Sequence, residues 1–291
     1  MKQILITGVN SYVGNSLAEW LGQYPDDYMI EKMSLRDGSW RDVDFSKYDS
    51  IAHVAGIAHR KETKKNAHLY YKVNRDLAFE VAKKAKKENV KQFILLSSMS
   101  VYGINKGVIH KYTPTKPKSN YGTSKLQAEE LITTLIDESF KVAIIRPPMI
   151  YGHGCRGNYP RIARIAIKFP VFPDIRNNRS MIYIDNLNIF VKLLIDKQKT
   201  GLFFPQNKEY VCTSSMVKTV AELHDHDIKF LKIFNIPIKL LKCNIVDKVF
   251  GTLIYEKSLS KLNIKENINF IDFYESIKLT EGSNEKNSNT L

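Results

Sequence analysis

The chain reads as an α/β protein: a Rossmann-type, doubly wound parallel sheet carrying a smaller mixed C-terminal lobe. Three observations predict this. Apolar β-rich runs alternate with helical patterns from residue 1 to about 147. A Gly-bearing turn follows the first run at once, and a helix follows the turn. The polar clusters fall where those runs end, which is where open α/β sheets bind ligands.

Ile4-Leu5-Ile6 reads as a buried strand. Thr7-Gly8-Val9-Asn10-Ser11-Tyr12-Val13-Gly14 follows, then a helix with Leu17 and Leu21 on one face. Gly8 suits a tight turn, and Gly14 suits close helix–sheet packing. Ser11 stands where a middle glycine is common, and its hydroxyl is within reach of a phosphate on a helix N-terminus. Strands are expected over Tyr28–Met33, Asp49–Gly56, Gln92–Ser98 and Val142–Pro147. Helices are expected over Leu69–Lys87, with Lys83, Lys84, Lys86 and Lys87 as its solvated face, and over Ser124–Ile136.

Past 148 the pattern turns irregular and proline-punctuated, the sign of a substrate lobe. The expected domains are 1–147 and 148–280, with some segments of the second returning to the first, and a disordered polar tail over 281–291. Met181–Asp185 reads as a strand leading into a helix, Leu187–Ile195. Ile228–Leu241 is apolar with interspersed Lys, a pattern of membrane-surface helices, but Pro237 interrupts it and a lid packed on the substrate lobe is expected.

At 291 residues with 43% hydrophobic and 25% charged residues, the composition is that of an ordinary soluble enzyme. No apolar run reaches the roughly 18 residues of a membrane span. A strand beginning by residue 4 leaves no room for a signal peptide. Three scattered cysteines, Cys155, Cys212 and Cys243, outline neither a disulfide framework nor a metal site, so a reducing cytoplasm is the expected compartment. His224 and His226 read as a solvated loop, and no metal is expected. The net charge of +14 (44 basic, 30 acidic) suits an anionic substrate. No aromatic-interleaved basic motif points to nucleic acid.

The chemistry is carried by Ser97-Ser98-Met99-Ser100-Val101-Tyr102-Gly103 and Tyr121-Gly122-Thr123-Ser124-Lys125. Tyr and Lys four apart share a helix face. An ammonium beside a phenol favours the phenolate, and a nearby Ser hydroxyl holds a substrate oxygen in line. Read alone, the Tyr–Lys spacing is that of many surface pairs. Its company changes the reading.

With Thr7-Gly8…Gly14, His53-Val54-Ala55-Gly56 and Arg146-Pro147-Pro148-Met149-Ile150-Tyr151-Gly152, these clusters resemble the extended short-chain dehydrogenase/reductase family of NAD-dependent epimerase/dehydratase type, over residues 1 to about 280. The resemblance implies that Tyr121 is the general acid/base. It implies that Lys125 holds the nicotinamide ribose and lowers the Tyr121 pKa, and that Ser98 bonds the reacting oxygen. It places Gly8, Asn10, Ser11, Tyr12, Val13, Gly14, Arg36, Asp44, Phe45, Ala55, Gly56, Asn74, Lys125 and Pro147 about the cofactor, with Asp44-Phe45 beside the adenine. It places Ser98, Ser100, Met149, Asn158 and Arg179 about the substrate. Arg179 is the expected diphosphate contact, although Arg156, Arg161 and Arg176 are comparably basic, and Asn158 is a uridylyl-side contact. It also suggests a homodimer.

Two departures narrow the reading. Family dehydratases carry Asp-Glu after the catalytic hydroxyl; Met99-Ser100 here cannot exchange protons near neutral pH. Strand two ends in Ser34-Leu35-Arg36 rather than an acid, and Arg36 suits a 2′-phosphate. NADP(H) is therefore favoured, with NAD(H) possible. The finer resemblance, extending through Lys248–Tyr255, is to capsule-cluster reductases of UDP-4-keto-6-deoxy-N-acetylhexosamine, so the expected substrate is a UDP-linked amino sugar. The alternative is a UDP-sugar 4-epimerase holding NAD.

Overall fold

In the computed structural model, residues 1–58, 60–240, 244–261 and 269–282 are described; Cys243 and the tail beyond Gly282 lie outside them. The chain forms two compact units.

The first unit comprises 1–103, 114–147 and 187–205. Its sheet holds β1 (Lys2–Thr7), β2 (Tyr28–Met33), β3 (Ser50–His53), β4 (Gln92–Leu96) and the strands Lys141–Ile145 and Gly201–Phe203. Their order is Gly201–Phe203, Lys141–Ile145, β4, β3, β1, β2, and every pairing is parallel. β1 pairs with β2 on one side (Ile4 opposite Ile30) and β3 on the other (Ile4 opposite Ser50). The chain order therefore reverses at β1, and a crevice opens at the carboxyl ends of β1 and β3. Both faces of the sheet are covered, which is why β1 and β3 read as continuous apolar runs rather than alternating ones.

Helix α1 (Tyr12–Leu21) follows β1, with Ser11 as its N-cap accepting from Gly14 N at 3.3 Å. The expected Leu69–Lys87 helix is α2 (Ala67–Tyr70), a π-helical stretch (Tyr71–Leu77) and α3 (Ala78–Lys87). Tyr70, Asn74 and Ala78 are all buried, four residues apart. Steps of four drift off the face of an α-helix, and the wider π turn keeps them aligned. In α3, Ala78, Val81, Ala82 and Ala85 face the core with Leu5, Ile51, Phe93 and Val142. Its lysines are not simply solvated: Lys84 binds Glu88 at 2.6 Å, and Lys86 binds Asp137 at 2.7 Å. Helix α4 spans Asn120–Thr133, starting four residues before the expected position, so Tyr121 sits in its first turn.

The second unit comprises 104–113, 148–186 and 206–291. It holds three parallel strand pairs: Met149–Tyr151 with Met181–Tyr183, Gly107–Ile109 with Leu253–Tyr255, and Val171–Pro173 with Lys229–Leu231. Tyr151 stacks on Tyr159, and its hydroxyl meets Ser276 and Asn207. Glu281 belongs to the helix Phe273–Gly282 rather than to a loose tail, and it receives Tyr159 Oη and His224 Nε2, each at 2.7 Å. His224 and His226 are thus partnered, the latter on the Phe169 carbonyl. Cys155 and Cys212 are free thiols. Within the expected lid, Phe230 packs on Phe172 and Asn235 Nδ2 binds Asp174 O at 2.8 Å, while Ile233 is 75% and Ile236 71% exposed. Pro237 fits because it lies in the first turn of the helix Asn235–Leu240.

Candidate active site

Four strand ends of the first unit meet at the site. β1 runs into Gly8, whose φ of +91° is a glycine conformation. A Cβ on Gly8 would lie 3.1 Å from Ala55 Cα, and one on Gly14 would lie 2.9 Å from Val54 Cγ2. The turn and the start of α1 therefore press directly on the segment leaving β3. Ser11 spends its oxygen on the α1 cap. No acidic side chain lies in the first turn of α1, which leaves that helix end suited to an anion.

β4 ends in Ser97 and Ser98. Ser98 caps the short turn Met99–Tyr102, accepting from Ser100 N at 3.1 Å and lying 3.1 Å from Ser100 Oγ. Pro147 O receives Met99 N at 2.9 Å, tying this turn to the chain leaving the strand Lys141–Ile145. The α4 N-terminus abuts it: a Cβ on Gly122 would lie 2.6 Å from Ser100 O. Glycine at 122 is thus what lets the first turn of α4, which carries Tyr121, close on the turn that Ser98 caps. Ser119 caps α4 through Gly122 N at 3.0 Å, and the Glu62 carboxylate accepts from the Asn120 and Tyr121 amides, each at 3.0 Å.

One turn on, Lys125 is 5% exposed and donates to Leu96 O at 2.7 Å. Asn74, from the π turn, accepts from Ile57 N at 2.7 Å and donates to Ser124 Oγ at 3.2 Å. A Cβ on Gly56 would meet Asn74 Oδ1 at 2.9 Å and Lys125 Nζ at 3.3 Å. Gly56, Asn74 and Lys125 therefore converge. Burial lowers the Lys125 ammonium to about 8, partly offset by Glu129.

The electrostatics correct one expectation. Burial pushes the Tyr121 phenol above its ordinary range, and the Ser98 hydrogen bond pulls it back only in part. Lys125 donates to the Leu96 carbonyl. His53, beneath the crevice, bonds Thr7 at 3.1 Å and is driven by burial to about 3, hence neutral.

Sequence reasoning missed the group that holds this site together. Glu129, one further turn along α4, binds Arg146 through Nε at 3.1 Å and Nη2 at 2.5 Å. Ser97 Oγ also bonds Glu129, and Arg146 Nη1 reaches Tyr102 Oη at 2.9 Å. This buried cluster clips β4, the Ser98 turn, α4 and the strand before Pro147 to one another. The signal was present: Tyr121, Lys125 and Glu129 share a helical face, and Arg146 closes an otherwise apolar strand.

Of the other expected residues, Asn10 and Arg36 are exposed, while Tyr12 and Val13 lie in the first turn of α1. The Asp44 carboxylate accepts from Ser46 N at 2.8 Å. The Phe45 ring is fully buried between Trp40 and Tyr48, so it is core rather than an adenine contact. In the second unit, Met149 opens a strand, Asn158 is exposed at the start of the helix Tyr159–Lys168, and Arg179 donates to Gly251 O at 2.7 Å. That bond occupies one edge of the guanidinium expected to meet a diphosphate.

Residues 4–203 match the NAD dependent epimerase/dehydratase family. The chain belongs to that family. It is 30% identical over 292 residues to the UDP-glucose 4-epimerase of Vibrio cholerae, covering 89% of each chain. It is 30% identical over 217 residues to the N-acetyl-α-D-glucosaminyl-diphospho-ditrans,octacis-undecaprenol 4-epimerase of Escherichia coli O157:H7, covering 68% of this chain and 64% of that one. Among solved structures, UDP-glucuronic acid 4-epimerase from Bacillus cereus with NAD superposes with a TM-score of 0.74 at 17% identity, over 98% of this chain and 99% of that one. A dTDP-4-dehydrorhamnose reductase from Bacillus anthracis with NADP gives 0.64 at 20% identity, over 79% and 84%. These likenesses establish the fold.

The donor set fits a nicotinamide dinucleotide. The acid-free start of α1 suits the diphosphate. An ammonium has three N–H groups, and Lys125 places one on Leu96, leaving it suited to a ribose diol beside Asn74 and Gly56. Among the described residues no group of three or more His, Cys, Asp or Glu is arranged to hold a metal, and no helix is long and apolar enough to cross a membrane.

Proposed function

We propose that this chain is a 4-epimerase of a UDP-linked hexose or N-acetylhexosamine. The observation that carries the proposal is the convergence of Ser98 just past β4, Tyr121 in the first turn of α4 and the buried Lys125 one turn on, at the carboxyl end of the sheet. A bound nicotinamide supplies the place where a hydride is left and retrieved. As the phenolate, Tyr121 takes the proton of the sugar hydroxyl and later returns it, and Ser98 fixes that oxygen. Lys125 and Asn74 hold the cofactor side. Met99 and Ser100 offer no acid or base for loss of water, which argues against a dehydratase. The two bacterial relatives named for 4-epimerisation support the C4 assignment, one named for UDP-glucose and the other for an N-acetylglucosaminyl diphospho-undecaprenol.

A second reading is a 4-keto-sugar reductase of the kind found in capsule-precursor synthesis. Arg36, exposed just past β2 where an acid would select NAD, favours NADPH and net reduction. The test is purified chain with NAD and, in turn, UDP-glucose, UDP-N-acetylglucosamine and their galacto isomers, followed by proton NMR of the anomeric signals. Interconversion without net change in NADH is the expected result. NADPH loss that depends on an added UDP-4-keto-6-deoxy-N-acetylhexosamine would replace it with the reductase, and neither outcome would overturn both.

A further inference from the structure

We propose that the second unit docks on an anionic lipid bilayer through the segment 229–240 and the strand pair beneath it. Leu231, Ile233, Phe234 and Ile236 all present apolar side chains to solvent, and Ile233 and Ile236 are the most exposed of them. Large aliphatic side chains this exposed, adjacent in sequence, need a partner. The patch continues onto Val171 of the paired strand and Phe169 two residues before it, both exposed. Lys229 N on Pro170 O and Asn235 Nδ2 on Asp174 O hold the two parts together, at 2.9 and 2.8 Å. The apolar side chains thus stand on a braced platform.

The charge identifies the partner. Lys168, Lys229 and Lys232 are exposed around the patch. Residues 228–238 include Lys229 and Lys232 and no acid, in a chain of net charge +14; the flanking acids are Asp227 before them and the half-buried Asp174 beside Asn235. Exposed aliphatics rimmed by lysines match the acyl boundary and phosphate layer of an anionic membrane, with no spanning helix required. A second copy would bring lysines against lysines across the same patch. The inference is independent of the C4 chemistry.

The test is co-sedimentation of the full chain with vesicles of phosphatidylcholine alone or with phosphatidylglycerol. Binding is expected to the anionic vesicles and to weaken with added salt. The double variant Ile233→Glu/Ile236→Glu should bind about tenfold or more weakly, with unchanged melting temperature and unchanged turnover of a soluble UDP-sugar. The variant Lys229→Glu/Lys232→Glu should lose the preference for anionic lipid. Equal binding to both vesicle types, or wild-type binding by the isoleucine double variant, overturns the proposal. So does a wild-type dimer that the isoleucine variant converts to monomer, since a second copy would then cover the patch. Failed docking with intact C4 turnover leaves the proposed function standing, and the reverse result leaves the docking surface standing.

Discussion

At the scale of single residues, the site pairs a phenol that burial keeps protonated with a lysine that burial brings close to neutral pH. Burial thus holds the proton on Tyr121, which must leave before the phenol can take one from the sugar hydroxyl, and Ser98 favours the phenolate so formed. Tyr121→Phe removes the proton and keeps the ring. Turnover should fall by about 10²–10⁴-fold, while retained nicotinamide, read by absorbance after denaturation, stays near the wild-type level. Full activity in that variant would mean another group moves the proton. Lys125 makes a second prediction. Its pKa is lowered by folding from an ordinary 10.5 to about 8, so above pH 8 the unfolded chain binds more protons than the folded one and stability rises with pH. Burying the charge costs about 3 kcal/mol below pH 8, less its bond to Leu96. Lys125→Met should therefore be inactive yet melt higher than wild type at pH 7, and the gap should close as the pH is raised from 8 towards 10.5. A gap that widens with pH would contradict the burial argument.

At the scale of elements, the site depends on how closely α4 approaches the turn after β4. Gly122 sets that approach, and the methyl of Gly122→Ala would stand against the Ser100 carbonyl. The helix must move, so kcat should fall more than the KM for UDP-sugar changes, with about 1 to 3 kcal/mol lost in a denaturant melt. Unchanged kcat would show that the distance from Tyr121 to Ser98 is not critical. The Glu129–Arg146 pair fixes the same elements from below. Glu129→Gln keeps the shape but strands a buried guanidinium, at a cost of about 3 to 5 kcal/mol. The double variant Glu129→Leu/Arg146→Met should recover much of that stability in the same melt and remain catalytically impaired if the pair serves to aim Tyr121. A milder loss in Glu129→Gln than in ordinary surface variants would remove the pair from this role.

At the scale of the whole molecule, the sheet and the order of its motifs were legible because parallel strands buried on both faces leave unmistakable apolar runs, and because Gly8, Ala55-Gly56, Ser97-Ser98 and Arg146-Pro147 sit where such runs stop. What was not legible depended on contacts distant in sequence. Phe45 has the composition of a ligand-side aromatic, and only the neighbouring Trp40 and Tyr48 make it core. The π turn at Asn74 keeps an apolar stripe on either side of it, so periodicity alone reads it as continuous helix. Glu129 looks like a surface charge until β4 and α4 come together, and Ile233 and Ile236 have the hydropathy of packed residues while standing in solvent. One further prediction belongs here. The fragment 1–147 lacks the strand Gly201–Phe203 and the 187–205 segment of its own unit, and it should show no cooperative thermal transition; a sharp melt would mean that these later segments are dispensable. The same feature sets a schedule for synthesis. The ribosome completes Pro147 on the order of 3 to 10 s before Phe203, and through that interval the strand Lys141–Ile145 offers a bare backbone edge to any chain nearby. Synthesis on crowded ribosomes, rather than heat or acid, is then the moment at which this fold is most open to mispairing, and a chaperone that shields nascent strands should matter more to its yield than one that rescues finished chains.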